Sequence, residues 1–273
     1  LTGSVSGAVT NSAVTGGTYV ISVSEGHDNQ VTGNTLNGQY DGSGQAVGSD
    51  DGILLVDEAN DTVNNNIINN VYDAGIEGAN NVTNTVMTNN TITNAAAAGI
   101  ASYYCTSWVN DTVSGNTVSV SAAAMWVLYI TSATLCGTTE APANFTGNQI
   151  TANQFQSPHQ PTGNSTGLNI NLNQYPAAVS NNLVQGNILG TAIGMNLEPI
   201  AGFIDGGGNV CLANTGFCGS GSDSGRTLAA FYQMLARPVR PVSAQGITAR
   251  SFASARRKTG LGPPIAGSDV RRR

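Results

Sequence analysis

The first 225 residues contain neither lysine nor arginine, although fifteen of the chain's sixteen acidic residues lie among them. All ten basic residues fall at or after Arg226, so residues 1–225 have a formal charge of −15 and residues 226–273 one of +9. A segment without these cationic side chains has nothing with which to neutralise phosphates. We therefore expect no nucleic-acid partner for residues 1–225.

Long apolar runs and closely spaced cysteine pairs are also missing. The longest apolar run, AAAMWVLYI (122–130), is too short to cross a bilayer, so the sequence predicts no membrane span. The four cysteines include no Cys-x-x-Cys pair, which argues against zinc, and their even number suits two disulfides in an exported protein. We expect a secreted or cell-surface protein from which any signal peptide has been removed.

Glycine, asparagine, threonine, serine and valine are abundant, and this balance favours strands and turns over helices. A small residue followed by an apolar one recurs at spacings of 23, 24, 25, 43 and 27 residues. The steps are Gly52-Ile53, Gly75-Ile76, Gly99-Ile100, Ala124-Met125, Gly167-Leu168 and Gly194-Met195. An internal repeat of this period predicts stacked units, because one unit is too small to bury its own apolar face.

A second pattern, Asn-x-apolar, runs between these steps. Its asparagines are Asn34, Asn66, Asn90, Asn116, Asn148 and Asn187. Each unit is predicted to hold three very short strands. The asparagine is expected to take the left-handed conformation of a sharp bend and to bond to the asparagine one coil above, about 4.8 Å away.

These repeats resemble the parallel β-helix family, the right-handed solenoids of the pectin-lyase-like superfamily, over roughly residues 5–210. The resemblance implies an all-β, right-handed parallel β-helix of about seven coils, with the Gly-apolar strands forming its first sheet. Long loops before Gly52 (37–51) and Gly167 (151–166) would then wall a groove along that sheet. We predict a β-helix over 1–225, a capping helix over 226–236 and a cationic disordered tail over 237–273.

Both disulfides can be placed within this arrangement. Cys105 and Cys136 each follow the first strand of successive coils, so a bond between them would join neighbouring rungs. Cys211 and Cys218 would close a small loop where the repeat ends.

The stretch GSDDGI (48–53) resembles the Gly-x-Asp-Asp motif of polygalacturonases, which carries their paired aspartates. Asp50 and Asp51 therefore become the candidate acid and base. The family's other three motifs are absent: the next coil, YDAGIEG, has no histidine, and no Arg-x-Lys can occur before Arg226.

Aligning the coils places Asp73 about 5 Å from Asp50, with Glu77 one strand position further along. Asp73 joins the catalytic candidates and Glu77 the substrate-binding ones, because close carboxylates raise one pKa and yield an acid and a base. Two other interpretations stay open. The acids can be ordinary turn residues, or they can bind Ca²⁺ with the help of Asp57 and Glu58.

Aromatic side chains near these acids are candidate sugar contacts. Tyr72 precedes Asp73 and is the best candidate, and Tyr40 and His159 lie in the two long loops. Trp126, inside the apolar run 122–130, is predicted to be a core residue.

We expect a carbohydrate-active protein, a hydrolase or lyase relative that binds and cleaves a polysaccharide without a required cofactor. A charge of −15 would repel polyuronates, so a neutral glycan, or an anionic one bridged by Ca²⁺, is the expected ligand. The alternative is a non-catalytic solenoid with an adhesive or structural role. The sequence makes no prediction of oligomeric state.

Overall fold

The computed structural model describes residues 1–43, 45–104, 107–120, 122–130, 144–157, 165–172, 178–212 and 216–218. The predicted capping helix, the predicted tail, the Cys105–Cys136 bond and His159 lie outside the described residues. Within the described part of the chain, no helix is long and apolar enough to span a membrane.

Short strands stacked in parallel build the described part of the chain. The strands of the first face are β3 (Tyr19–Ser24), β6 (Asp51–Ala59), β9 (Ala74–Thr83), β12 (Ala98–Tyr104), β16 (Ala123–Ile130), β20 (Thr166–Asn171) and β24 (Ile193–Glu198). A second face continues from the ends of β6 and β9 into β13 (Ser107–Val109), β17 (Asn144–Thr146) and β21 (Val179–Ser180).

The two remaining faces are eight-stranded parallel sheets. The third comprises β1 (Ala8–Thr10), β4 (Gln30–Thr32), β7 (Thr62–Asn64), β10 (Val86–Thr88), β14 (Thr112–Ser114), β18 (Gln149–Thr151), β22 (Asn182–Gln185) and β25 (Phe203–Asp205). The fourth comprises β2 (Ala13–Thr15), β5 (Thr35–Asn37), β8 (Ile67–Val71), β11 (Thr91–Ala95), β15 (Thr117–Ser119), β19 (Gln154–Gln156), β23 (Ile188–Gly190) and β26 (Val210–Cys211). A 3₁₀ turn, Ile200–Gly202, precedes β25.

The predicted repeat of Gly-apolar steps is confirmed by the register of the first face. Its apolar residues pair rung by rung and point into one continuous core, in the order Ile21, Ile53, Ile76, Ile100, Met125, Leu168 and Met195. Glycine precedes five of the seven because the coils approach closely there: a Cβ on Gly75 would collide with Ile92 and the Gly99 carbonyl. Seven described strands on this face agree with the predicted seven coils.

Three details of the repeat prediction were wrong. Each full coil has a fourth short stretch, the second face, in addition to the three predicted strands. Asn148 is one bend out of the predicted register, because β18 pairs with β14, and Asn153 occupies the position equivalent to Asn116. The predicted loop 151–166 contains β19, so an extended strand occupies part of it.

The predicted asparagine ladder exists, and a second ladder runs beside it at the preceding bend of each coil. The first joins Asn34, Asn66, Asn90, Asn116, Asn153, Asn187 and Asn209 through side-chain amides 2.9–3.1 Å apart. The left-handed residue is the one before each ladder position, not the ladder asparagine itself. Asn65 (φ 55°) before Asn66 is an example.

Candidate acidic site on the first sheet

A closed loop brings the chain to the acidic cluster. It leaves the stack after β5 and returns before β6, and its two ends are tied where the Ser49 amide donates to the Gly38 carbonyl at 2.7 Å. The buried Ser49 hydroxyl also donates to the Gly17 carbonyl, one coil below. Both contacts fix the backbone at the point where β6 begins.

Asp50 and Asp73 occupy equivalent positions on neighbouring rungs, as the alignment of the coils predicted. The Asp73 amide donates to the Asp50 carbonyl at 2.7 Å, and the Asp50 amide donates to Thr18 in the coil below. Both side chains are partly exposed. A soluble ligand can therefore reach this pair.

Asp51 and Glu77 lie behind that pair and are almost fully buried, at 2% and 6% exposure. The Asp51 Oδ1 atom accepts a hydrogen bond from the Ala74 amide at 3.1 Å. Burial, followed by the charges of Glu77 and Asp73, raises the pKa of Asp51 well above its usual range. Burial and the Asp73 charge raise the pKa of Glu77 to about 8.

Asp73 is the group whose protonation changes near physiological acidity. Burial, followed by repulsion from Asp50, raises the pKa of Asp73 to about 6. A carboxyl of this kind is a proton donor in mildly acidic solution, and its partial exposure gives it access to a bound molecule. Asp51 and Glu77, in contrast, are too buried to contact a ligand directly.

The carboxylates that converge differ from those predicted as a Ca²⁺ site. Asp57 is exposed and accepts hydrogen bonds from Asn80 and Asn81, whereas Glu58 is 1% exposed and accepts from the Gly26 amide and Asn29. The structure therefore does not bring Asp57 and Glu58 together. Ligand oxygens of Asp51, Asp73 and Glu77 all lie within 4.8 Å of one another, a spacing that a divalent cation could bridge.

Aromatic residues flank the acids on one side. Tyr40, 8% exposed, and the partly exposed Tyr72 meet edge to face with ring centroids 5.9 Å apart. Tyr72 thus lies beside Asp73 with part of its surface free, as a sugar contact requires.

The prediction that Trp126 belongs to the core was wrong. Its neighbours in the chain, Met125 and Val127, are fully buried, while Trp126 is partly exposed and packs against a separate outer cluster. That cluster comprises Ala74, Ala98, Ala101 and Tyr103. It covers the outside of the first sheet next to Glu77, whose strand pairs with that of Ala101.

The acids of the second ladder were not predicted from the sequence. Its members are Asn29, Asp61, Thr85, Asp111, Asn148 and Asn182. The available signal was a polar residue two places before the inward apolar residue of each third-face strand, as in DTV at 61–63 and again at 111–113.

Comparison with known proteins identifies the architecture. A family model described as "Right handed beta helix region" matches residues 1–139, about half of the chain. No curated protein and no solved structure matches the chain.

Proposed function

The chain belongs to the right-handed β-helix family, and from the acids on its first sheet we propose that it is a secreted glycoside hydrolase acting on an uncharged polysaccharide. The observation that carries the proposal is the Asp50–Asp73 pair. Two partly exposed carboxyls occupy neighbouring rungs, and burial together with mutual repulsion raises the pKa of Asp73 to about 6. Glycosidic cleavage uses one carboxylic acid and one carboxylate.

In this mechanism Asp73 is the general acid. It gives its proton to the departing glycosidic oxygen, while the Asp50 carboxylate, one rung away, bonds to the anomeric carbon. Asp73 then takes a proton from the water that displaces Asp50 and releases the sugar. Asp51 and Glu77 are positioning residues, since they are buried and their carboxyl oxygens lie within 4.8 Å of those of Asp73. This step uses no cofactor.

Charge selects the class of glycan. Residues 1–225 contain no lysine or arginine, so this part of the chain supplies no such cation to neutralise a sugar carboxylate or sulfate. A uronate would meet the carboxylate of Asp50, and above about pH 6 also that of Asp73, and this repulsion costs binding energy. A neutral chain avoids it and can use the exposed part of Tyr72 as a stacking surface.

The test is a screen of neutral and acidic polysaccharides for release of reducing ends. We expect the wild type to cleave a neutral glycan, and Asp73→Asn and Asp50→Asn to lower the rate about 10²–10⁴-fold each. Glycan binding and melting temperature should change little. Asp28→Asn is the matched control, because Asp28 is an exposed acid that contacts His27 away from the cluster.

The burial of Asp51 and Glu77 favours a second candidate, binding without turnover. In this second candidate, the carboxyls at 2% and 6% exposure stabilise the fold and take no part in catalysis. The outer surface of the first sheet would then be an adhesive or structural face. Glycan binding that survives both substitutions, in a wild type that cleaves no glycan of the panel, would select this candidate over hydrolysis.

A further inference from the structure

The side-chain amides of the second ladder follow one rule. Each asparagine donates its Nδ2–H to a main-chain carbonyl at the same register position one coil earlier. The pairs are Asn29 with Ser4 (3.2 Å), Asn148 with Trp108 (3.0 Å) and Asn182 with Phe145 (2.8 Å). The Oδ1 atom of each asparagine accepts a main-chain amide from the coil before it. Both atoms of the amide group therefore have a partner.

Asp111 follows this rule except at its Oδ2 atom. Its Oδ1 accepts the Thr85 amide at 2.7 Å, and its own amide donates to the Asn148 Oδ1 at 2.9 Å, as the ladder requires. Its Oδ2 stands where an asparagine has its Nδ2, yet it is buried and has no hydrogen-bond partner. By register, the carbonyl it faces is that of Val82, because Trp108 pairs with Val82.

A carboxylate oxygen cannot donate, so an ionised Asp111 would set a buried negative charge against a carbonyl dipole. We propose that Asp111 occupies the ladder as a neutral carboxylic acid whose Oδ2–H donates to the Val82 carbonyl. The stability of the middle of the solenoid then depends on this proton. Loss of this proton removes the donor and leaves a buried charge that is offset only by main-chain amides.

The surroundings of Asp111 support the neutral form. The bend below presents Asn84 and Thr85, and the bend above presents Gly147 and Asn148, so no charged side chain faces Asp111 from either. Burial raises the pKa of Asp111 to about 8, although the Thr85 and Val109 amides oppose that rise. Near neutral pH the proton stays in place, and in alkaline solution it is lost.

The sign of the effect follows from linkage. The folded protein holds a proton that the unfolded chain releases, so the stabilisation is complete below about pH 4 and is lost as the pH rises through about 8. Asparagine at this position supplies a permanent donor of nearly the same shape. Asp111→Asn should therefore keep the ladder intact at every pH.

The experiment measures urea denaturation of the full chain between pH 5 and 7 at constant ionic strength. The unfolding constant of each protein is measured at every pH. We expect the ratio of the wild-type constant to the Asp111→Asn constant to increase about tenfold per pH unit. Asn148→Asp, which adds an acid to the ladder next to Asp111, should steepen the dependence, whereas Gln149→Glu, at the exposed neighbouring position, should not.

Infrared difference spectra between pH 6 and 9 provide a readout that stability alone would not change. The wild type should lose one protonated-carboxyl band that Asp111→Asn lacks. Equal pH slopes for wild type and Asp111→Asn would overturn the proposal, as would an unchanged set of carboxyl bands. If Asp111→Asn does not fold, equal slopes for Asn148→Asp and Gln149→Glu would overturn it.

Discussion

Raising the pH from 5 to 7 should destabilise this protein, the reverse of the behaviour expected where carboxylates are held by cations. Glu77 is 6% exposed and the pKa of its carboxyl is raised to about 8, first by burial and then by Asp73. Unfolding returns it to about 4.3, so over this interval the folded state holds a proton that the unfolded state lacks. One such proton raises the unfolding constant about tenfold per pH unit, so the free energy of unfolding should fall by roughly 3 kcal/mol from pH 5 to 7.

The assay is equilibrium denaturation of wild type and Glu77→Gln at several pH values and fixed salt. Glutamine imitates the protonated acid. The free energy of unfolding of the variant should therefore fall less steeply with pH, by the contribution of about one proton, and the variant should be the more stable of the two at pH 8. Stability that stays level or increases from pH 5 to 8 in the wild type would refute the reasoning. So would a Glu77→Gln slope equal to that of the wild type.

Three further predictions concern the stack itself. Ala152 is left-handed (φ 54°), so Ala152→Gly should relieve strain and raise the melting temperature by roughly 2 °C in calorimetry, whereas no gain would contradict the strain. Gly75→Ala should cost about 1–3 kcal/mol in urea denaturation, because its Cβ meets Ile92 and the Gly99 carbonyl; an unchanged midpoint would show that the coils can separate freely. Replacing both Cys211 and Cys218, which are bonded, by alanine should cost roughly 2–3 kcal/mol, and non-reducing peptide mapping should find this link in the wild type.

The fold could be predicted from sequence because its signals repeat. An inward apolar residue recurs in every coil of the first face, and a glycine that permits close approach precedes it in most of them, so a misassigned position in one coil can be recognised from the others. Asn148 was assigned to the wrong ladder because the Asn-x-apolar pattern occurs in both ladders. Only the strand pairing shows to which ladder an asparagine belongs.

The site was only partly predictable. The rung alignment placed Asp50 beside Asp73, but burial depends on the surrounding coils and loops, and no local pattern indicated that Asp51 and Glu77 lie behind that pair. Trp126 was misassigned for a similar reason: alternation along β16 sends it outward, although the surrounding run is apolar throughout. The Cys105–Cys136 bond and the role of His159 stay predictions.

The pH dependence of kcat/KM on the best neutral glycan tests the central claim most directly. If Asp73 is the general acid, kcat/KM should fall about tenfold per pH unit above about pH 6, as the Asp73 proton is lost, and Asp73→Asn should remove most of the activity. A rate that stays constant through pH 8, or a wild type that hydrolyses no glycan at any pH, would contradict the account.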